Sequence, residues 1–126
     1  MENKKILIAS PERHEKSWGH ELWINNNDGY CGKLLMFKEN GQFSMHYHLL
    51  KNETWYVQEG EFELLYIDTD NAEQKVEILY KGAVIDIPIG QPHQLKCLSK
   101  NGTIFEVSDK HYESDSYRVK PGDSQK

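Results

Sequence analysis

Cysteine is scarce: the 126 residues contain two, Cys31 and Cys97. That excludes a disulfide-rich secreted scaffold, although a single bridge stays open. Long apolar runs are missing from the opening segment. Ile6-Leu7-Ile8-Ala9 gives way to polar residues at once, too short a run for a secretory signal core or a membrane span. The expected setting is therefore cytoplasmic, with both thiols reduced and no membrane partner. Basic charge is in the minority. Fifteen Lys and Arg against twenty Asp and Glu give a net charge of −5. The two signs are interspersed without a basic stripe, which argues against a nucleic-acid partner. No repeat, low-complexity block or linker appears, and the length suits a single domain, 1–126. Seven Tyr and three Trp suit a packed core rather than a disordered chain.

Turn residues punctuate the chain often, as at Asn40-Gly41, Glu59-Gly60, Lys81-Gly82 and Ile89–Pro92. Between them lie short runs rich in aromatic and branched residues: Lys33–Lys38, Phe43–His48, Thr54–Gln58, Glu61–Asp68, Lys75–Tyr80, Ala83–Pro88, His93–Leu98 and Thr103–Ser108. This spacing predicts an all-β sandwich or barrel. Helix is expected to be minor, at most a short helical turn near Asp109–Tyr117. Residues 1–20 are expected to lead in, and 120–126 to form a frayed polar tail. Alternation puts Ser44, His46 and His48 on one face, Glu53, Trp55 and Val57 on another, and His93, Leu95 and Cys97 on a third. Glu53 has the wrong parity to continue the strand of His48, so a turn at Leu49–Asn52 must reset the direction. Trp55, Phe62, Tyr66 and Phe105 are expected core residues.

If those faces turn inward, three imidazoles and a carboxylate converge. Divalent transition metals favour such a set. His46-Tyr47-His48 on a strand presents two imidazoles together, Glu53 follows a tight turn, and His93 follows the rigid Pro88-Ile89-Gly90-Gln91-Pro92. Taken alone, a His-x-His pair on a strand is more often an ordinary half-buried pair.

The wider pattern resembles a known family. Gly41, four residues, His46-Tyr47-His48, four residues, Glu53, six residues and Gly60 are similar to the first cupin motif. Gly82, five residues, Pro88-Ile89-Gly90, two residues and His93 are similar to the second. Two departures stand out: the first Gly–His gap is four where the family usually has five, and Cys97 stands where the family often has Asn. The resemblance covers Gly41–Cys97. It implies an all-β, cupin-type double-stranded β-helix (jelly-roll) barrel. It also implies one divalent transition metal ion (Zn, Mn, Co, Ni or Fe) held by His46, His48, Glu53 and His93. A finer resemblance lies in the flanks. Lys16-Ser17-Trp18-Gly19-His20-Glu21 is similar to the Pro-Trp-Gly entry of the type II mannose-6-phosphate isomerase domain, with Ser17 in place of Pro. Phe105–Ser108 and Asp115-Ser116-Tyr117-Arg118 are similar to its exit segment.

That resemblance implies aldose–ketose isomerisation of a sugar phosphate. The ion polarises the sugar oxygens and a base moves the proton. Glu106 and His111 are the base candidates. In the plain alternatives, Glu106 faces solvent with Phe105 and Val107 inward, and His111 is a loop residue. Arg118 is the best candidate for a phosphate, because its planar fork suits phosphate oxygens, with Lys51 and Lys33 behind it. Their plain alternative is a solvated surface charge. Trp55 is a stacking candidate for a sugar face, with core packing the expected role. Cys97 is expected to pack, and Cys31 carries no site signal. Two other functions fit the same ligands: an Fe(II)-dependent dioxygenase and a non-catalytic sugar-binding module. A homodimer through residues 1–25 is expected, since Trp18, Trp23 and the apolar start lie outside the motif core.

Overall fold

Alternating apolar residues between turn formers become strands throughout the chain. The computed structural model describes residues 5–126. Its strands are β1 (Glu12–Lys16), β2 (Gly19–Asn26), β3 (Cys31–Lys38), β4 (Met45–Tyr47), β5 (Glu53–Glu59) and β6 (Phe62–Ile67). They continue with β7 (Gln74–Leu79), β8 (Val84–Ile87), β9 (His93–Cys97), β10 (Asn101–Ser108) and β11 (Tyr117–Lys120). One sheet has the order β1-β2-β3-β10-β5-β8 and the other β11-β4-β9-β6-β7. All pairings are antiparallel. The two sheets form the expected jelly roll. Strands β3, β5 and β10 of one sheet and β6 and β9 of the other bury their inner faces in a common core. Its members include Leu35, Phe37, Trp55, Val57, Phe62, Leu64, Leu95 and Ile104.

Several local expectations are corrected. Residues 12–16, expected in the lead-in, pair with β2 as an edge strand. No helix forms at Asp109–Tyr117. Residues 109–116 are an irregular loop with one turn closed by Asp115 N–H to the Tyr112 carbonyl, and Tyr117 already opens β11. The tail is not frayed. A short 3-10 turn at Asp123–Gln125 docks on the segment before β4. There Asp123 accepts from the Gln42 N–H at 3.0 Å through its carboxylate and donates its own N–H to the Gln42 carbonyl. Phe105 is half-buried on the outer face, because Glu106 takes the inward position beside it. Trp18 lies in the core stacked on Phe37, and Trp23 is half-buried against His14. Cys31 and Cys97 are free and buried. Among the described residues, no helix is long and apolar enough to cross a membrane.

Two glycines join the motifs. A Cβ on Gly41 would sit 2.4 Å from the Trp18 carbonyl oxygen, so only glycine allows the chain to pass there. Gly90 adopts φ 81°, a left-handed conformation, and donates its N–H to the His48 carbonyl at 2.7 Å. That bond ties the turn before β9 to the end of β4, and so ties His93 to His48.

Candidate metal centre and cavity

His46 on β4 and His93 on β9 are direct register partners. His48 follows β4, and the three imidazoles offer ring nitrogens that lie within 4.8 Å of one another. The rings are oriented by the backbone. His46 Nδ1 meets the Ser44 carbonyl at 2.7 Å, His93 Nδ1 meets the Gln91 carbonyl at 2.8 Å, and His48 Nδ1 meets the Asp115 carbonyl. A carbonyl accepts only, so each Nδ1 carries the proton and each Nε2 of a neutral ring presents a bare lone pair. This is the arrangement by which backbone carbonyls orient metal-ligating imidazoles. Burial, the largest influence, holds His93 near 4 and pushes His46 well below its ordinary range. Both rings are therefore neutral at pH 7, the form that binds metal.

Glu53 enters from β5 after the bend at Leu49–Asn52. Its Oε2 lies 3.2 Å from His48 Nε2 and 3.6 Å from His93 Nε2, yet it has no hydrogen-bond partner. Donors sharing one ion at bonds of about 2.1 Å sit roughly 3.0–3.4 Å apart. The chemistry of the donor set fits a divalent transition ion; the Glu53–His48 pair already has that spacing, and the imidazole nitrogens, within 4.8 Å of one another, would draw together around a bound ion. Burial pushes the Glu53 carboxyl upward. The contact with Glu106 and the Lys51 charge act against it and pull the carboxyl down.

Asp115 is the residue that sequence reading passed over. It is buried, and its carboxylate accepts from Leu49 N–H at 2.8 Å and Leu50 N–H at 3.1 Å, while its carbonyl orients His48. One side chain from the loop before β11 therefore fixes both the bend and an imidazole. The only sequence signal was its place in the acidic exit segment.

The three imidazoles and Glu53 open into a cavity of about 330 Å³, the size of a small-ligand site. Glu106 lines it and is buried, so the solvent-facing alternative is overturned. Burial and the neighbouring Glu53 charge raise its carboxyl above the usual range. Lys51 and Lys33 are buried at 2% and 3% exposure, which corrects their expected place as rim or surface charges. Lys51 Nζ lies 3.0 Å from His111 Nδ1, 3.5 Å from Glu106 Oε2 and 3.9 Å from Glu53 Oε1. Burial works against the Lys51 ammonium, but Glu106 and Glu53 raise it above its ordinary value. His111 lines the cavity, pinned by Asn26, whose side chain bonds both its N–H and its carbonyl. Burial and the two lysines bring its imidazole down to about 3.

Trp55 is 1% exposed, with Nε1 turned to Glu53 and Glu106 at 3.4 and 3.3 Å. It supports the carboxylates from the core and offers no open ring face for sugar stacking. Arg118 is exposed at the mouth, opposite His46 across β11 and β4. Ser124 and Gln125 of the docked tail also line the cavity. Cys97 packs in the core with Sγ on the Ser99 carbonyl.

Two solved structures share this architecture. The capsular polysaccharide assembling protein CapF from Staphylococcus aureus superposes with a TM-score of 0.79 at 18% identity, covering 90% of this chain and 33% of that one. Oxalate decarboxylase from Bacillus subtilis superposes with a TM-score of 0.76 at 13% identity, covering 93% and 34%. The chain thus spans about a third of each of these proteins. No curated protein matches it in sequence. The cupin pattern matches residues 24–119, most of the chain, and with the jelly roll around it this chain belongs to the cupin family.

Proposed function

We propose that this cupin is a metal-dependent enzyme acting on a sugar phosphate, an aldose–ketose isomerase similar to the type II mannose-6-phosphate isomerase domain. The carrying observation is the cluster of three backbone-oriented imidazoles, two of which, His48 and His93, face the unpartnered Oε2 of Glu53. His46, His48, His93 and Glu53 would hold one divalent transition ion. Bound there, the ion supplies a Lewis acid for the carbonyl and hydroxyl oxygens of an open-chain sugar. Two neighbours support the reading: oxalate decarboxylase has Mn(II) centres, and CapF is a capsular polysaccharide assembling protein.

The remaining roles fall to residues around the cavity. Glu106, buried and with its carboxyl held above the usual range, is the group that carries a proton between C1 and C2. His111 stays a secondary candidate, since Nδ1 is engaged by Lys51. Lys51 holds Glu53 and Glu106 in place. Arg118 at the mouth receives the phosphate. A cytoplasmic homodimer through residues 1–25 completes the proposal; residues 1–4 of that segment lie outside the described ones. Ile6, Leu7 and Ile8 are 92%, 89% and 96% exposed, an apolar strip available to a second copy.

The test is metal analysis of protein purified without added metal, followed by assay of mannose 6-phosphate conversion to fructose 6-phosphate. Conversion that requires zinc, manganese or cobalt supports the isomerase. Iron with dioxygen consumption replaces it with an oxygenase, and bound metal without turnover on a sugar panel replaces it with a binding module.

A further inference from the structure

Two buried ammonium groups share the inner part of the cavity with carboxylates that they do not fully reach. Lys33 is 3% exposed, and its Nζ lies 3.7 Å from Glu21 Oε1, beyond hydrogen-bonding distance. The ammonium also lies over the Trp23 ring, with the centroid 4.4 Å away. Lys51 Nζ stands 3.5 Å from Glu106 Oε2, an atom with no hydrogen-bond partner. The sheet explains why these groups are together. Trp23, Lys33, Glu106 and Trp55 form one register row across β2, β3, β10 and β5, so Lys33 and Glu106 project side by side into the cavity.

Lys51 Nζ already meets His111 Nδ1 at 3.0 Å, so the atom left open beside it is Glu106 Oε2, and a polar group from outside can complete that carboxyl and the loosely held Lys33 together. The neighbours decide which kind. A hydroxyl can accept from an ammonium and donate to a carboxylate in the same place. A carboxylate or phosphate offers acceptors only and would meet Glu21, Glu53 and Glu106. We propose that the space bounded by Lys33, Glu21, Lys51 and Glu106 is a polyol subsite. It takes the neutral, hydroxyl-bearing part of the ligand and leaves an anionic end for Arg118 at the mouth. The subsite rests on the sugar-phosphate reading only for the identity of that anionic end.

Calorimetric titration of the metal-loaded protein with four probes tests it: mannitol 1-phosphate, hexyl phosphate, mannitol and oxalate. None of these can be isomerised, so turnover does not enter. The wild type should bind mannitol 1-phosphate about tenfold or more tighter than hexyl phosphate, because a site built for hydroxyls rejects a ligand lacking them. Lys33→Met should remove most of that preference and leave hexyl phosphate binding unchanged. Equal affinity of the wild type for the two phosphates overturns the subsite, a result that needs no variant to fold. So does oxalate binding that weakens in Lys33→Met, since it would make the inner end an anion site. Equal phosphate affinities that fall together in Arg118→Ala would sink the subsite and spare the sugar-phosphate reading. Mannitol binding as tightly as its phosphate, and weakening in Lys33→Met, would spare the subsite and sink that reading. Binding of none of the four ends both.

Discussion

Asp115→Ala separates the scaffold of the metal centre from its ligands. The substitution removes an acceptor from Leu49 N–H and Leu50 N–H while leaving the three imidazoles and Glu53 unaltered in kind. Hydrogen bonds to a charged acceptor contribute about 1.5–3 kcal/mol each. The two N–H groups belong to residues about half exposed, so water recovers part of that. A net loss of about 3 kcal/mol is expected, which for a chain of this length lowers Tm by about 10 °C. The effect on the metal is separate. Freed from Asp115, the Leu49–Asn52 bend relaxes, and the carbonyl that orients His48 Nδ1 moves with it. Loss of such an orienting group weakens metal affinity about 10–100-fold. Asp115→Asn keeps one carbonyl oxygen on the bend and should cost less on both counts. Urea unfolding of the metal-free protein measures the first effect, and competition with a zinc-selective chelator measures the second. An Asp115→Ala protein that is destabilised as expected but binds metal with wild-type affinity would refute the coupling of the bend to His48.

Other expectations follow from the same geometry. His48→Ala should bring metal stoichiometry from about one to near zero while circular dichroism stays that of the folded sheet protein; unchanged stoichiometry removes His48 from the ligand set. Arg118→Ala should raise KM for a phosphorylated sugar about tenfold and leave KM for its unphosphorylated analogue nearly unchanged. Equal effects on both would take Arg118 out of phosphate recognition. The metal-free protein should lose stability in mild acid as its buried imidazoles are forced to charge, and of these His111 can be varied without touching the proposed ligands. The unfolded imidazole takes up its proton near 6.5 and the folded one only near 3. Between those values the unfolded state binds more protons, so stability falls as the pH drops. From pH 7 to pH 5 this amounts to about 2 kcal/mol. Glu106 acts in the opposite sense, its carboxyl being raised, but does so in every variant that retains it. The difference between wild type and His111→Gln therefore isolates the imidazole, and parallel pH–stability curves would show that His111 is not held neutral by the fold.

The sequence by itself determined the eight strands from β3 to β10 and the imidazoles that meet at the centre, while β1, β2 and β11 emerged only with the fold. Alternation and turn residues are local signals, so Ser44, His46 and His48, then Glu53, Trp55 and Val57, then His93, Leu95 and Cys97 could be placed on faces before their partners were known. The bend at Leu49–Asn52 was legible from parity alone. What closes that bend was not, since Asp115 reaches it across more than sixty residues of chain. The same holds for Glu106. Parity offered two faces for β10, and the choice fell to packing. Lys33 on one side and Trp55 on the other place the carboxyl inward, where Lys51 keeps a charge beside it. The depth of Lys33 and Lys51, and the docking of the tail on Gln42, were likewise decided by tertiary structure. Lys is a surface residue in most contexts, and only the carboxylates and ring brought around it by other strands make its burial tolerable. Local periodicity sets which way a side chain points; what it meets there depends on strands distant in sequence.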